Sequence, residues 1–307
     1  MTQNYYSVFG LTLVSDFSFA VLEQVAPKDD PDLLRVTRVE GIRPTGEMPT
    51  DPHFDIQPEH QFFHWNAVGT FSIKDANTVL IEPQEGVSEH LISQAFLGLV
   101  MSLVLERRGI LCLHASAVSV NNQAAIFLGD KGAGKSTTSG ALIARGHVPV
   151  TDDLVAIDGA LQETPQPFLW PGFSSMKLWP DSVEALALGQ DADDRLIHPS
   201  VTKIQKRMPA PIAQQPVAIG ALFVLRRSED VTEPHVVRLP AHEALQMVLR
   251  YTFMARYGET RLGRDHLAHH MKRCSAIVAH APFYNLMIPA DLSRLDALSN
   301  TIERVFD

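Results

Sequence analysis

Hydrophobic and polar positions alternate in short runs over the first part of the chain. Segments rich in aromatic and β-branched residues are separated by Pro, Gly, Asp and Asn, which is the pattern of strands joined by turns. We predict strands at residues 6–13, 33–39, 61–65, 68–73 and 79–81. Together they indicate a small, mainly-β N-terminal domain over residues 1–87.

The period changes to that of a helix after residue 87. Apolar residues recur every three or four positions from Leu91 to Val104, which predicts a helix over residues 88–107. A strand at 110–120 follows, and Asn121 and Asn122 tolerate the positive φ angles of a tight hairpin. The next strand, at 124–128, should therefore run antiparallel to the strand at 110–120.

Strands and helices alternate along the rest of the chain. We predict a helix at 137–145 that stops at Gly146, a strand at 148–157, and an irregular region at 161–216 that faces the substrate. Further elements follow as a strand at 219–225, helices at 241–257 and 263–279, a strand at 283–288 and a helix from Leu292. These elements predict an α/β domain over residues 88–307.

Residues 129–136 read Gly-Asp-Lys-Gly-Ala-Gly-Lys-Ser, a complete phosphate-binding loop between a predicted strand and a predicted helix. Glycines let successive backbone N–H groups turn toward phosphate oxygens, Lys135 reaches the β/γ-phosphates, and the Ser136 hydroxyl ligates magnesium. We therefore predict that the loop binds ATP or GTP with Mg²⁺; the plain alternative is a glycine-rich turn without a ligand. The predicted nucleotide-binding residues are Gly129, Asp130, Lys131, Gly132, Ala133, Gly134, Lys135, Ser136 and Thr137.

Composition and charge narrow the function classes. The chain has 307 residues, a formal net charge of −9 and a pI near 5.8, which argues against a nucleic-acid partner. Cys112 and Cys274 are the only cysteines, so a disulfide framework and a zinc site are not expected. The N-terminus lacks an export signal, and the longest apolar stretch, 95–105, is too short to span a bilayer. We predict a soluble, cytoplasmic protein without a membrane partner.

Three further residues fit phosphoryl transfer, which needs a metal, compensation of negative charge and a base for the acceptor hydroxyl. Asp152 and Asp153 lie on the strand that follows the loop helix, and His114 lies on the strand that precedes the loop. Adjacent strand residues point to opposite faces, so at most one of the two carboxylates faces the phosphates unless the strand ends or bulges there. In isolation, His114 would be interpreted as a hydrogen-bonded core histidine.

These motifs occur in a familiar order. Leu-His-Ala-Ser-Ala-Val at 113–118, the hairpin, the loop at 129–136, Gly146-His147 and Asp152-Asp153 together resemble the catalytic core of the HPr kinase/phosphorylase family, over residues 109–158. The resemblance implies a P-loop core with a mixed sheet, akin to phosphoenolpyruvate carboxykinase. The small β region looks most like the family's shorter relatives in peptide-modification gene clusters, some of which phosphorylate the C-terminal serine of lasso-peptide precursors.

The resemblance also implies roles for individual residues. The catalytic base falls on Asp153, the active-site histidine on His114 and the phosphate-binding lysine on Lys135, while Ser136 and Asp152 would serve the metal. The implied protein is an ATP- and Mg²⁺-dependent serine kinase for a peptide or small protein acceptor. The family's tendency to assemble implies a homo-oligomer.

Two departures from the family pattern alter that expectation. The stretch 169–173 has no acid where the family has a magnesium-binding Glu, and 211–220 offers no match for a later arginine. Lys203, Lys206 or Arg207 could supply the missing positive charge, for phosphate or for an acceptor carboxylate, and the sequence does not choose among them. Because those segments also serve phosphorolysis in the family, we expect a kinase only.

Several alternatives remain open from the sequence. The rival functions are a bifunctional HPr kinase/phosphorylase, a small-molecule kinase and a nucleotide-gated binding protein without catalysis. A metal site at His266, His269 and His270 is the weaker interpretation, because histidines spaced along a helix beside basic residues more often form a solvated or partner-facing surface. The basic residues are Arg261, Arg264, Lys272 and Arg273. Trp170, Phe173 and Trp179 fit either the core or the wall of a peptide groove.

Overall fold

The computed structural model describes residues 3–28, 30, 32–46, 51–57, 60–161, 166–198, 201–256 and 264–307. Contacts divide the chain into two compact units, one formed by Met1–Ile110 and Arg256–His269 and the other by Leu111–Ala255 and His270–Asp307. Both large sheets are mixed, and helices accompany them, so the α/β class is confirmed. Tyr257 and Gly263, which end or begin predicted helices, lie outside the described residues.

The first unit contains an eight-stranded sheet in the order β3-β1-β2-β4-β8-β7-β6-β5. Its strands are β1 Asn4–Val8, β2 Leu11–Ser15, β3 Glu23–Gln24, β4 Leu34–Arg38, β5 His53–Ile56, β6 Gln61–Trp65, β7 Gly69–Asp75 and β8 Thr78–Pro83. The single strand predicted at 6–13 is wrong, because the chain reverses at Phe9 and Gly10, whose φ angles are 51° and 74°. The other four predicted strands correspond to β4, β6, β7 and β8.

One long helical segment follows this sheet, as α1 Glu89–Ala95, a π-helical stretch Phe96–Val100 and α2 Met101–Arg107. Ser88 begins it by accepting a hydrogen bond from the Leu91 N–H. The segment belongs to the first unit, whereas the sequence assigned it to the second. It is longer than the apolar stretch noted in the sequence. Its 19 residues, with a mean hydropathy of 1.3, suffice by length and composition to cross a membrane, but 61% of it is buried, as in the core helix of a folded domain.

The second unit contains a nine-stranded and a three-stranded sheet. Its strands are β9 Leu111–Leu113, β10 Ala115–Val120, β11 Gln123–Leu128, β12 Val148–Thr151, β13 Val155–Asp158, β14 Phe168–Trp170, β15 Ser175–Leu178, β16 Arg195–His198, β17 Val201–Arg207, β18 Val217–Ser228, β19 His235–Arg238 and β20 Phe283–Pro289. The helices are α3 Lys135–Ala144, α4 Pro180–Ala185, α5 Ala241–Tyr251, α6 Arg264–His280 and α7 Leu295–Glu303, and short 3₁₀ turns cover Phe253–Arg256 and Leu292–Arg294. The residues of α6 up to His269, and Arg256, are counted with the first unit.

The larger sheet runs β12-β10-β11-β18-β14-β13-β9, with β20 between β18 and β19. Ile126 and Leu128 of β11 pack in the apolar cluster on one face, and Ala125 and Phe127 pack in the cluster on the other. Because β11 is buried on both faces, its end is a rigid base for the loop that follows. The predicted β10–β11 hairpin is confirmed, with φ angles of 48° and 62° at Asn121 and Asn122.

Two predicted strands are each broken in the middle. The strand predicted at 110–120 divides at His114 into β9 and β10, and the strand predicted at 148–157 divides at Asp152 and Asp153 into β12 and β13. The breaks occur side by side, because β10 pairs with β12 whereas β9 pairs with β13. At its break, each of the two segments therefore leaves one end of the sheet and continues as a strand at the other end.

The region 161–216, predicted to be irregular, contains regular structure in its described part. Strands β15, β17 and β16 form an antiparallel three-stranded sheet, and α4 follows β15. Met176 and Leu178 of β15 are buried in the apolar cluster that also contains Phe127. One face of the small sheet is therefore fixed to the core, which positions the alternating residues of β15 on its other face.

Candidate active site

The glycine loop, residues 129–136, joins β11 to α3. Gly134 is the residue before the first turn of α3 and has a φ of 97°, a conformation that side chains with a Cβ rarely adopt. A Cβ on Gly129 would lie 2.8 Å from the Cβ of Ala133, so the loop closes tightly at this point. The order strand, glycine loop and helix leaves the first N–H groups of α3 facing out of the helix end.

Lys135 lies across the loop that it follows. Its Nζ donates to the carbonyl oxygen of Gly129 at 2.8 Å and to that of Asp130 at 3.3 Å. A phosphate bound at the helix end would compete with these carbonyls for the ammonium. Thr137 is buried, and its hydroxyl donates a hydrogen bond to Ser182 of α4 at 2.9 Å. Because its side chain already has this partner, the group that Thr137 can offer to a ligand is its backbone N–H.

Ser136 and Asp152 form the central contact of the site. The Ser136 hydroxyl donates to Asp152 Oδ1 at 2.9 Å, and Asp152 is only 3% exposed. Its Oδ2 accepts the backbone N–H of Lys177 at 3.0 Å. Burial and the charge of Asp153 raise the pKa of Asp152, and the two hydrogen bonds and the charge of Lys203 offset this only in part.

Asp153 occupies the turn between β12 and β13 with a φ of 72°. Its Oδ2 accepts from Lys177 Nζ at 2.7 Å, and its Oδ1 lies 3.2 Å from His114 Nδ1. Burial raises the pKa of Asp153, but the ammonium of Lys177 and the hydrogen bond from His114 outweigh it and hold this pKa well below its usual range. Asp153 is therefore a carboxylate at neutral pH.

His114 is fixed from three sides. Its Nδ1 lies 3.1 Å from the carbonyl oxygen of Asp153, its backbone N–H donates to the Tyr251 carbonyl at 2.8 Å, and its ring packs edge-on against Phe253. Because both oxygens of Asp153 that Nδ1 contacts can only accept, Nδ1 must carry the proton of the ring. The sequence alone would have left His114 as a core histidine, whereas here it holds the turn that carries Asp153.

The strand ends at Asp152 and Asp153, so the expectation that only one of the two carboxylates can face the site does not apply. In a continuous strand, Asp152 and Asp153 would point to opposite faces of the sheet. In the turn, Asp152 contacts Ser136 of the glycine loop while Asp153 contacts His114, and Lys177 contacts both. The two acids therefore share one site with different partners.

Three residues that contact the site could not be found from the sequence. Lys177 lies on β15, in the region predicted to be irregular, and its only signal is a lysine within a short alternating run. Arg250, near the end of α5, donates from Nη2 to both Asp130 oxygens at 3.0 and 2.9 Å, and the Tyr251 hydroxyl bonds the same carboxylate at 3.3 Å. The loop side chain Asp130 is thus held from α5.

The three candidate cations at 203–207 have different surroundings. Lys203 lies 5.6 Å from the centre of the Trp179 ring and acts electrostatically on Asp152. Lys206 is 2% exposed and bonds Asp194 at 2.6 Å, so it is not available to a phosphate. Arg207 is exposed. Lys203 is therefore the one of the three whose charge acts on the site.

The three aromatic residues that fitted either the core or a peptide groove differ in burial. Phe173 is buried, whereas Trp170 is half-buried and donates its indole N–H to Asp158 at 3.1 Å. Trp179 is half-buried beneath Lys203. Phe173 is therefore a core residue, whereas Trp170 and Trp179 each keep part of their surface exposed.

The site offers oxygen ligands of the kind that Mg²⁺ prefers. A hydroxyl and a nearly buried carboxylate adjoin each other at the end of the glycine loop, 2.9 Å apart. Ser136 and Asp152 therefore fit a magnesium ion. Among the described residues, which include His266, His269 and His270, no group of three or more His, Cys, Asp or Glu side chains could hold a metal ion.

A mixed α/β fold with a strand, glycine loop and helix is the class of structure to which the site belongs. An HPr kinase/phosphorylase of Clostridium botulinum (strain Eklund 17B / Type B) is 35% identical to this chain over 112 residues, which cover 35% of this chain and 32% of that protein. The resemblance to the HPr kinase family indicated by the motifs is thereby confirmed. The chain spans about a third of the length of this curated relative.

Two other comparisons add less. The solved Hpr(Ser) kinase/phosphatase of Coxiella burnetii aligns over 63% of this chain and 94% of that chain, with 14% identity and a TM-score of 0.29, which is too loose to compare the two folds. No protein-family model matches the chain.

Proposed function

We propose that this protein is an ATP- and Mg²⁺-dependent serine kinase that transfers the γ-phosphoryl group to a serine hydroxyl of a peptide or protein. The observation that carries the proposal is the contact of Ser136 with the buried Asp152, 2.9 Å long, at the end of a glycine loop. Phosphate-loop enzymes hold magnesium with a loop hydroxyl and an aspartate of a neighbouring strand in this way.

Each residue of the site has a role in this proposal. The backbone N–H groups of residues 129–137 and the Lys135 ammonium hold the terminal phosphates, and Ser136 and Asp152 hold the magnesium ion. Bound magnesium would neutralise charge that develops on the β- and γ-phosphates. Asp153 orients the acceptor serine and accepts its proton as the oxygen–phosphorus bond forms and ADP leaves. His114 fixes the turn that presents Asp153.

A carboxylate with a low pKa is a weak base, and this suits the reaction. Phosphoryl transfer proceeds through a loose transition state, in which orientation of the hydroxyl matters more than its early deprotonation. The contacts of Asp153 with Lys177 and His114 keep it charged and fixed, which favours an orienting role. The proton reaches Asp153 late, when the acceptor oxygen has become acidic.

The acceptor class follows from the resemblance rather than from the geometry. A lasso-peptide precursor with a C-terminal serine is the acceptor to test first, and HPr is the second. The absence of an acid at 169–173 supports a kinase without phosphorylase activity. In keeping with the resemblance, we propose a cytoplasmic protein that assembles with copies of itself.

The test is the variant Asp153→Asn. Asparagine tolerates the positive φ of this turn and keeps the side-chain shape, so the fold should persist. Transfer of labelled phosphate from ATP to the precursor peptide or to HPr should fall by about 10³-fold or more, while nucleotide affinity in a fluorescence titration should stay within about threefold.

The matched control is Asp158→Asn, because Asp158 ends β13, the strand that follows the turn at Asp153, and accepts a hydrogen bond from Trp170 rather than contacting the site. It should transfer phosphate at nearly the parent rate. If Asp153→Asn retains the parent rate, Asp153 is not the base. If the parent protein transfers phosphate to neither acceptor and hydrolyses no ATP, the kinase proposal fails in favour of a nucleotide-gated binding protein.

A further inference from the structure

Lys177 contacts both aspartates of the site through different groups. Its backbone N–H donates to Asp152 Oδ2 at 3.0 Å, and its Nζ donates to Asp153 Oδ2 at 2.7 Å. Its side chain is 19% exposed, so the ammonium is largely withdrawn from water.

The position of Lys177 is set by the small sheet. Lys177 lies between Met176 and Leu178, which are buried on the opposite face of β15, and it pairs with Gln205 of β17. Gln205 is itself buried and bonds Ser175 at 2.7 Å. The strand is thus anchored on both faces, and the lysine cannot move away from the aspartates without disturbing the pairing of β15.

Two neighbouring carboxylates at a metal site pose a problem of charge. Carboxylate pairs commonly bind two divalent ions, or share one ion between both acids. Asp152 would then lose its separate contact with Ser136, and Asp153 would be a metal ligand rather than a group for the acceptor. An ammonium on Asp153 excludes a cation from that oxygen, because like charges repel strongly in a partly buried site.

We propose that Lys177 is a positioning residue that keeps the two aspartates in separate roles and limits the site to a single divalent ion. This inference rests on the proposed function. Its backbone N–H holds Asp152 with one oxygen toward Ser136, and its ammonium reserves Asp153 for the acceptor. The lysine thereby decides the number of metal ions that the site accepts.

The experiment is a titration with Mn²⁺, followed by electron paramagnetic resonance, with and without a non-hydrolysable ATP analogue. The parent protein should bind one Mn²⁺ per chain in the presence of the analogue. Lys177→Met removes the ammonium and keeps the backbone N–H, so it should bind a second Mn²⁺, or bind the first about tenfold more tightly. Phosphate transfer by this variant should fall by about 10²-fold despite its stronger metal binding.

Two variants make the result specific to the charge on Asp153. Lys177→Arg keeps a cation and should retain one Mn²⁺ per chain and much of the transfer activity. Arg207→Met removes an exposed cation from the same sheet and should leave the Mn²⁺ stoichiometry unchanged. A merely structural role for Lys177 would lower activity without any gain in metal affinity.

The outcomes separate this inference from the proposed function. If the folded Lys177→Met protein binds Mn²⁺ with the stoichiometry and affinity of the parent, the inference is wrong while the kinase proposal stands. If the parent protein binds neither the ATP analogue nor Mn²⁺ in its presence, the proposed function fails first. Lys177→Gln replaces Lys177→Met if circular dichroism finds the latter unfolded, and the same criteria apply to it.

Discussion

Two lysines of the three-stranded sheet each contact a pair of aspartates, and only one of these clusters has the features of a functional site. Lys177 of β15 contacts Asp152 and Asp153, whereas Lys206 of β17 bonds Asp194 at 2.6 Å and lies 3.1 Å from Asp191. Lys206 pairs with Met176, so the two lysines lie on opposite faces of the sheet.

The partners of the two lysines differ in origin. Three groups bond Lys206, and all come from the connection between α4 and β16. They are the Gly189 carbonyl, Asp191 and Asp194. The Lys177 cluster gathers side chains from two strand breaks and the glycine loop. A buried lysine–aspartate pair therefore does not mark a function by itself, and its convergence with the glycine loop and the two strand breaks is the better indicator.

The largest expected difference between the Lys177 and Lys206 clusters is the effect of substituting Lys206 on the stability of the fold. Lys206→Met leaves Asp194 without its cation, and we expect the free energy of unfolding to fall by about 2–3 kcal/mol. This loss is smaller than is usual for a fully buried ion pair, because the second partner of Lys206, Asp191, is 60% exposed. Urea unfolding measures this change. Phosphate transfer per folded molecule should persist, in contrast to Lys177→Met.

Arg207→Met is the control for that comparison, because Arg207 is the exposed neighbour of Lys206. Its unfolding midpoint should match that of the parent. Equal stability of the parent and Lys206→Met would show that the Lys206 cluster is not structural, and the contrast between the two faces of the sheet would be lost.

The pH should have a smaller effect on the contribution of the Lys206 cluster to the free energy of unfolding. Although burial raises the pKa of Asp194, its hydrogen bonds from Lys206 and the Asp191 N–H lower the net value below that of a free aspartate. A lowered pKa contributes stability above the unfolded pKa and loses it as pH falls through the folded pKa. The difference in unfolding free energy between the parent and Lys206→Met should thus be constant from about pH 5 to pH 8 and smaller at pH 4. A difference that grows toward pH 4 would contradict this sign.

The sequence predicted the elements that depend on local pattern. The strand at 124–128, the loop at 129–136 and the paired asparagines of the hairpin all lie where the pattern indicated, because glycine, asparagine and a buried apolar run determine conformation over a few residues. The motifs also identified His114, Asp152 and Asp153, although their roles stay predictions.

The elements that the sequence missed depend on distant contacts. The turn at Asp153 is held by His114 and Lys177, which are 39 and 24 residues away along the chain. The pattern of 148–157 is that of a continuous strand, and these distant contacts stabilise the turn that interrupts it. Strands β15 and β17 were missed because Lys177, Gln205 and Lys206 are polar residues whose burial depends on partners that a local pattern cannot reveal.

The account depends most on the glycine loop as a site for nucleotide phosphates. The direct measurement is an equilibrium titration of the parent protein and of Lys135→Ala with a fluorescent ATP analogue in the presence of Mg²⁺. We predict that the parent binds and that Lys135→Ala binds at least about tenfold more weakly, because the ammonium that reaches the β/γ-phosphates is lost. Equal binding by the two proteins, or no binding by the parent, would contradict the account.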